Sequence, residues 1–177
     1  MAGCTSSDRG LGGRPAAESV TRHATCVSVE GRGALLLGPS GAGKSDLALR
    51  LIHGTFRASG LSIAVELVAD DQVIIEARPS RSGQDAGRLV ARAPAMLASL
   101  MEVRGLGILK VQATAETELC LAVELVKTGV GERLPDPAPV ATILGRKLPL
   151  IRIAPFEASA PLKVVLALLQ AGRNRQQ

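Results

Sequence analysis

The stretch Gly38-Pro39-Ser40-Gly41-Ala42-Gly43-Lys44-Ser45 constrains this chain more than any other part of it. It fits G-x-x-x-x-G-K-S in full, and Ala34-Leu35-Leu36-Leu37 before it reads as a buried strand. Behind it, Leu47, Ala48 and Leu51 recur at helical spacing, which predicts a helix over residues 44–53. Strand, loop and helix in that order make a phosphate-binding loop. Glycines let backbone N–H groups turn inward onto anionic oxygens, and the helix start adds its positive dipole end. Lys44 is then the point charge for the β- and γ-phosphates, and Ser45 the hydroxyl for Mg²⁺. The motif implies a nucleoside triphosphate. It leaves that molecule's fate open, because motors, transporters, GTPases and kinases share the loop.

The rest of the chain reads as one domain around that loop, as its 177 residues suggest. Residues 1–20 are rich in Gly, Ser and Arg without a hydrophobic period and read as a disordered tail, with order beginning near Arg22. The catalytic domain is placed at residues 21–172 and a short C-terminal tail at 173–177. Further strands are expected at residues 24–29, 63–69, 73–77, 119–126, 140–144 and 148–153, with a polar loop at 78–87. A short helix is expected at 94–100 and a closing helix at 161–171. The fold class is therefore α/β or α+β with a mixed sheet. Phe56 and Phe156 are the two aromatic residues, so the core is built from Leu, Val, Ile and Ala.

Charge and cysteine content narrow the partners. A net charge of +5 favours a phosphate-bearing or acidic partner. With no Trp, no Tyr and no run of Lys or Arg, the chain lacks the stacking platforms of a nucleic-acid binder. No apolar run is long enough to cross a bilayer and no signal peptide is visible. Cys4, Cys26 and Cys120 are odd in number and far apart, which argues against a disulfide framework or zinc site and for a reducing cytoplasm.

Carboxylates near the loop are the next candidates. Asp70-Asp71 follows the apolar run Leu67-Val68-Ala69, where a carboxylate can hold a metal or accept a proton. Neighbours on an extended segment face opposite ways, so the two are expected to differ in role. A turn pair capping a hairpin is the plainer alternative. Glu102-Val103-Arg104-Gly105-Leu106-Gly107 reads as a tight loop feeding a strand through Val111, and a surface ion pair beside a glycine turn accounts for its charges by themselves. His23 is ambiguous on its own.

Taken in order, these pieces resemble HPr kinase/phosphorylase. The resemblance is carried by His23, the phosphate loop, Leu67-Val68-Ala69-Asp70-Asp71-x-Val73, Ala93-Pro94, and Glu102-Val103-Arg104-Gly105-Leu106-Gly107-Ile108. It spans residues 23–149 and is similar to the short, catalytic-core-only forms of some proteobacteria. Two departures are Asp46, where the family usually has Glu, and an apparent insertion at residues 54–62.

The resemblance implies a P-loop kinase core with a mixed sheet flanked by helices, using ATP and Mg²⁺ to phosphorylate a serine of the phosphocarrier protein HPr. Asp71 would accept the serine proton, and return one in the phosphorolytic reverse reaction. His23, Lys44 and Arg133 would complete the active site. Gly38 to Ser45 would hold the nucleotide, with Ser45 and Glu102 serving the metal. The family tends to form homo-oligomers, often hexamers. Two other readings stay open at this point: a P-loop kinase acting on a small molecule, and a nucleotide-sensing module without transfer activity.

Overall fold

The computed structural model describes residues 18–58, 60–79, 87–127 and 138–173. Arg133 and Cys4 lie outside them. In chain order the strands are β1 (Ser19–His23), β2 (Thr25–Val29), β3 (Arg32–Leu37), β4 (Phe56–Ala58), β5 (Leu61–Ile63), β6 (Val65–Ala69), β7 (Gln72–Arg78), β8 (Arg88–Arg92), β9 (Leu100–Val103), β10 (Gly107–Lys110), β11 (Glu116–Leu125), β12 (Val140–Ile143) and β13 (Arg146–Ile153). Helix α1 (Lys44–Ile52) follows β3, and α2 (Ala160–Arg173) closes the chain.

The main sheet runs β1-β7-β8-β11-β3-β2-β6, with β13 branching from β11 and carrying β12. At the centre β3, β11 and β13 are parallel, while the β2–β3, β8–β11 and β12–β13 pairs are antiparallel. Strand β11 is long enough to pair β8 along its first residues and β13 along its last. The sheet is therefore mixed, with helices packed on it.

Its curl follows from one short link. β6 ends the sheet on one side and β7 stands next to the other end, yet only Asp70 and Asp71 separate them in the chain. The sheet must bend until its two ends meet. It does so as a continuous antiparallel ribbon, in which β1 and β2 run along β7 and β6. His23 pairs with Gln72 on one side of the bend and Cys26 with Ala69 on the other, so one alignment holds across the bend itself; just beyond it a bulge shifts the register by one residue, between Cys26–Ala69 and Val27–Leu67. The Ala24 N–H donates to the Asp71 carbonyl at 3.2 Å between them. Such bends let one strand pair serve two parts of a curled sheet.

Strand alternation divides the core into two layers. Leu36, Val27, Leu67 and Val123 face Leu47 and Leu51 of α1 and Val164 and Leu168 of α2. Leu35, Cys26, Val68, Val73, Ile75 and Leu119 fill the inside of the curl. Each fully buried Leu contributes about 1.5–3 kcal/mol relative to exposure. Burial pushes the Cys26 thiol well above its ordinary range, which leaves it an inert core residue. Cys120 is buried as well.

Several expectations shift. Among the described residues regular structure opens at Ser19, because β1 gains a partner in β7 that no local periodicity announces. Residues 54–62 carry most of a small hairpin, β4–β5, in which Phe56 packs into the helix-side core. The short helix at 94–100 is a single 3₁₀ turn, Ala95–Leu97, and Leu100 already belongs to β9. Glu102 lies in β9, and the Gly105 turn joins β9 to β10 as a hairpin. The polar loop expected at 78–87 falls mainly outside the described residues, and Arg78 closes β7.

Candidate active site

The phosphate loop leaves β3 at the C-terminal end of the parallel strands, where open α/β sheets place their ligand sites. Gly43 precedes α1 with φ of +91°, a left-handed conformation that disfavours a side chain, and a Cβ there would stand 2.9 Å from Phe156 Cζ. No side chain caps the helix start. Its first N–H groups therefore remain available to an anion.

Lys44 is almost wholly buried at the bottom of this loop. Its ammonium donates to the carbonyls of Gly38 at 2.9 Å and Pro39 at 3.0 Å, and to His23 Nε2 at 3.1 Å. Desolvation lowers its pKa from the ordinary 10.5, opposed by the charges of Asp71 and Asp70. An ammonium has no acceptor, so His23 Nε2 must be the unprotonated nitrogen. Nδ1 then carries the proton, and it lies 2.9 Å from Asp71 Oδ1 and 3.2 Å from the Asp71 carbonyl. Asp71, His23 and Lys44 thus form one connected chain.

The two aspartates part company at the ribbon's bend. Asp70 is buried, and its Oδ1 accepts hydrogen bonds from Thr25 Oγ1 at 2.7 Å and Ser45 Oγ at 2.9 Å. Asp71 is exposed, with φ of +65°. The expected divergence is present, but its cause is this left-handed residue and not the alternation of an extended strand. Nor is the pair a hairpin cap, since β6 and β7 do not pair with each other. A buried carboxylate touching the loop hydroxyl is a hard oxygen set that suits Mg²⁺, which takes few protein ligands and keeps several waters.

The loop, His23, Lys44, Ser45, Asp70 and Asp71 come together. Glu102 is exposed on β9, a strand packed beside α1, and among the described residues no hydrogen bond joins it to this cluster. No group of three or more His, Cys, Asp or Glu among the described residues is arranged to hold a metal. Two participants escaped the sequence reading. Thr25 holds Asp70 from across the ribbon, a pairing that only the tertiary register creates. Phe156 stands against Gly43, and its rarity in an aromatic-poor chain was the available signal.

Comparison with known proteins places this geometry. The family model for the HPr serine kinase C-terminal domain matches residues 14–171. HPr kinase/phosphorylase of Caldicellulosiruptor bescii is 34% identical over 170 residues, covering 90% of this chain and 49% of that protein. The protein of the same name from Cupriavidus metallidurans is 37% identical over 149 residues, covering 79% of this chain and 42% of that one. The chain thus spans about half or less of the length of these relatives. Among solved structures, the HPr(Ser) kinase/phosphatase from Coxiella burnetii superposes with a TM-score of 0.64 at 26% identity, covering 89% of this chain and 92% of that one. With its phosphate loop, paired aspartates and curled mixed sheet, the chain belongs to the HPr serine kinase C-terminal domain family.

Proposed function

We propose that this chain is an ATP- and Mg²⁺-dependent serine kinase acting on an HPr-like phosphocarrier protein. The observation that carries the reading is the Asp71–His23–Lys44 chain, which ties an exposed carboxylate to the lysine of the phosphate loop. When bound, Mg-ATP supplies the γ-phosphoryl group.

The residues divide the work. His23 Nδ1–H holds Asp71 Oδ1, leaving Oδ2 to take the proton from the seryl hydroxyl. The serine oxygen then bonds to the γ-phosphorus as the bond to the bridging oxygen of ADP breaks. Lys44 turns its ammonium from the loop carbonyls to phosphate oxygens, and the N–H groups at the start of α1 steady the developing charge. Asp70 fixes the Ser45 hydroxyl for the metal. Running the same groups backwards, Asp71 returns a proton to the serine as inorganic phosphate removes the phosphoryl group as pyrophosphate. Glu102 as a metal-associated carboxylate and Arg133 as a charge-stabilising cation are part of this proposal, as are a homo-oligomeric state and a cytoplasmic setting. No helix among the described residues is long and apolar enough to cross a membrane.

Labelled Mg-ATP incubated with purified HPr tests the reading. Label on a serine of HPr supports it. Label on a metabolite, or ATP binding without transfer to any acceptor, sinks it in favour of a small-molecule kinase or a nucleotide-sensing module. The link from Asp71 to the loop through His23 counts against such a silent module, which has no use for a base there.

A further inference from the structure

Gly43 is the last residue of the phosphate loop before Lys44, and it has no side chain of its own to hold it. Its φ of +91° is left-handed, and no side chain caps the helix start that it opens. What rests on it comes from far along the chain. A Cβ on Gly43 would meet Phe156 Cζ at 2.9 Å, Phe156 Cε1 at 3.2 Å and Pro155 Cγ at 3.4 Å. The Phe156 ring is mostly open to solvent, so its position depends on the turn that carries it.

That turn, residues 154–157, is tied down on two sides. Toward α2, the Glu157 N–H donates to the Ala154 carbonyl at 3.2 Å, and the Ala160 N–H to the Glu157 carbonyl at 3.0 Å. Lys163 Nζ adds a 2.6 Å bond to Glu157 Oε2. Toward α1, Arg50 Nη2 donates to the carbonyl of the buried Pro155. The same guanidinium is held by Asp46, whose Oδ2 accepts from Nε at 3.0 Å and lies 2.9 Å from Nη2. Asp46 and Arg50 are four residues apart on one face of α1, and as an exposed pair on one helix they would stabilise little. The planar fork of arginine lets this pair do more. It grips Asp46 and a second element, 105 residues along the chain, at once.

We infer that Arg50 is a positioning residue for the phosphate loop. Asp46 aims its guanidinium at the Pro155 carbonyl, and the turn seats Phe156 on Gly43. The loop is thereby held in its anion-binding shape before a ligand arrives. Preorganisation of this kind raises affinity by lowering the cost of ordering on binding. The path runs from α1 to the turn and back to the start of α1, so the helix braces its own entry. Arg50 also offsets the charge of Asp46, which stands in the first turn of a helix whose start receives an anion. That electrostatic role is separate from the brace and carries a different signature.

This role rests on the phosphate-loop reading, and the test separates the two. Inorganic Mg-tripolyphosphate, which engages the loop without a nucleoside, is titrated by calorimetry into the wild type, Arg50→Met, Phe156→Ala and the double variant. Urea unfolding of each runs alongside. Arg50→Met should raise the Kd about fivefold, Phe156→Ala similarly, and the double variant no more than about twofold beyond the weaker single, because both cut one path. Independent losses, multiplying to about 25-fold, would overturn the inference. So would unchanged affinity in Arg50→Met, even with a lowered unfolding midpoint, since Arg50 would then serve the fold alone. Asp46→Asn combined with Arg50→Met decides the electrostatic alternative. This double variant should bind as weakly as Arg50→Met, and recovery of wild-type affinity would overturn the brace in favour of charge neutralisation. A wild type that binds neither tripolyphosphate nor Mg-ATP would instead refute the phosphate-loop reading, and this inference with it.

Discussion

His23 joins Lys44 through its Nε2 at 3.1 Å, so the lysine of the phosphate loop shares its charge with a ring whose other nitrogen holds Asp71. The loop and Asp71 are therefore not independent parts. A proton gained at Asp71 is felt at Lys44 through a single imidazole.

Asp71→Asn removes the proposed proton acceptor while keeping shape and a carbonyl oxygen for His23. Serine phosphorylation should fall about 100- to 10,000-fold, with Mg-ATP affinity changed little. Single-turnover transfer alongside equilibrium nucleotide binding measures both. Full transfer by the variant would mean that another group takes the proton.

Thr25→Val deletes one of the two hydroxyls on Asp70 Oδ1 at almost constant volume. The buried carboxylate then keeps only Ser45, at a cost of about 1–3 kcal/mol in unfolding free energy. Loss of a partner behind a metal-binding group weakens the metal by about 10- to 100-fold. The Mg²⁺ concentration for half-maximal transfer should rise accordingly. An unchanged Mg²⁺ requirement would show that Asp70 is oriented without Thr25.

Burial lowers the Lys44 pKa below 10.5, against the pull of Asp71 and Asp70. The ammonium is the phosphate-binding form, and its fraction falls as pH rises through that lowered value. Mg-ATP affinity should therefore decline with rising alkalinity, bending below pH 10.5. Lys44→Arg, whose guanidinium stays charged, should abolish the bend. A wild-type bend at or above 10.5 would contradict the role given to burial.

Gly33→Ala tests the sheet that carries the loop. A Cβ on Gly33 would meet Thr117 Cγ2 at 2.5 Å and the Glu118 carbonyl at 3.0 Å, beneath the 3.0 Å contact between the Ser28 and Thr117 hydroxyls. Overpacking of this kind costs about 1–3 kcal/mol. Urea unfolding should show that loss, and Thr117→Ser, which removes the obstructing methyl, should recover part of it.

Local signals carried much of the site in the sequence. The phosphate loop depends on eight consecutive residues, so Gly38 to Ser45 could be read directly, as could the strand before it and the helix after it. Asp70 and Asp71 were legible as a pair because a strand delivers them. Their division of labour was not, since it depends on Thr25 and His23 across a ribbon whose alignment is tertiary. For the same reason β1 was hidden: its residues are mostly exposed, and it is a strand because β7 lies beside it. Phe156 carried no motif beyond its rarity as one of two aromatic residues, and its place against Gly43 is set by the turn that follows β13.

The ribbon keeps one alignment through this corner and takes up an extra residue only beyond it, between Cys26–Ala69 and Val27–Leu67. Because His23–Gln72 and Cys26–Ala69 are in the same alignment, one residue inserted into either link would exchange the inward and outward faces downstream. Asp70 would lose Ser45, and Asp71 would lose His23. Short connections between strands usually absorb changes of length. Here a change of length would have to be taken up by the bulge beside Val68, and only then would both aspartates keep their partners.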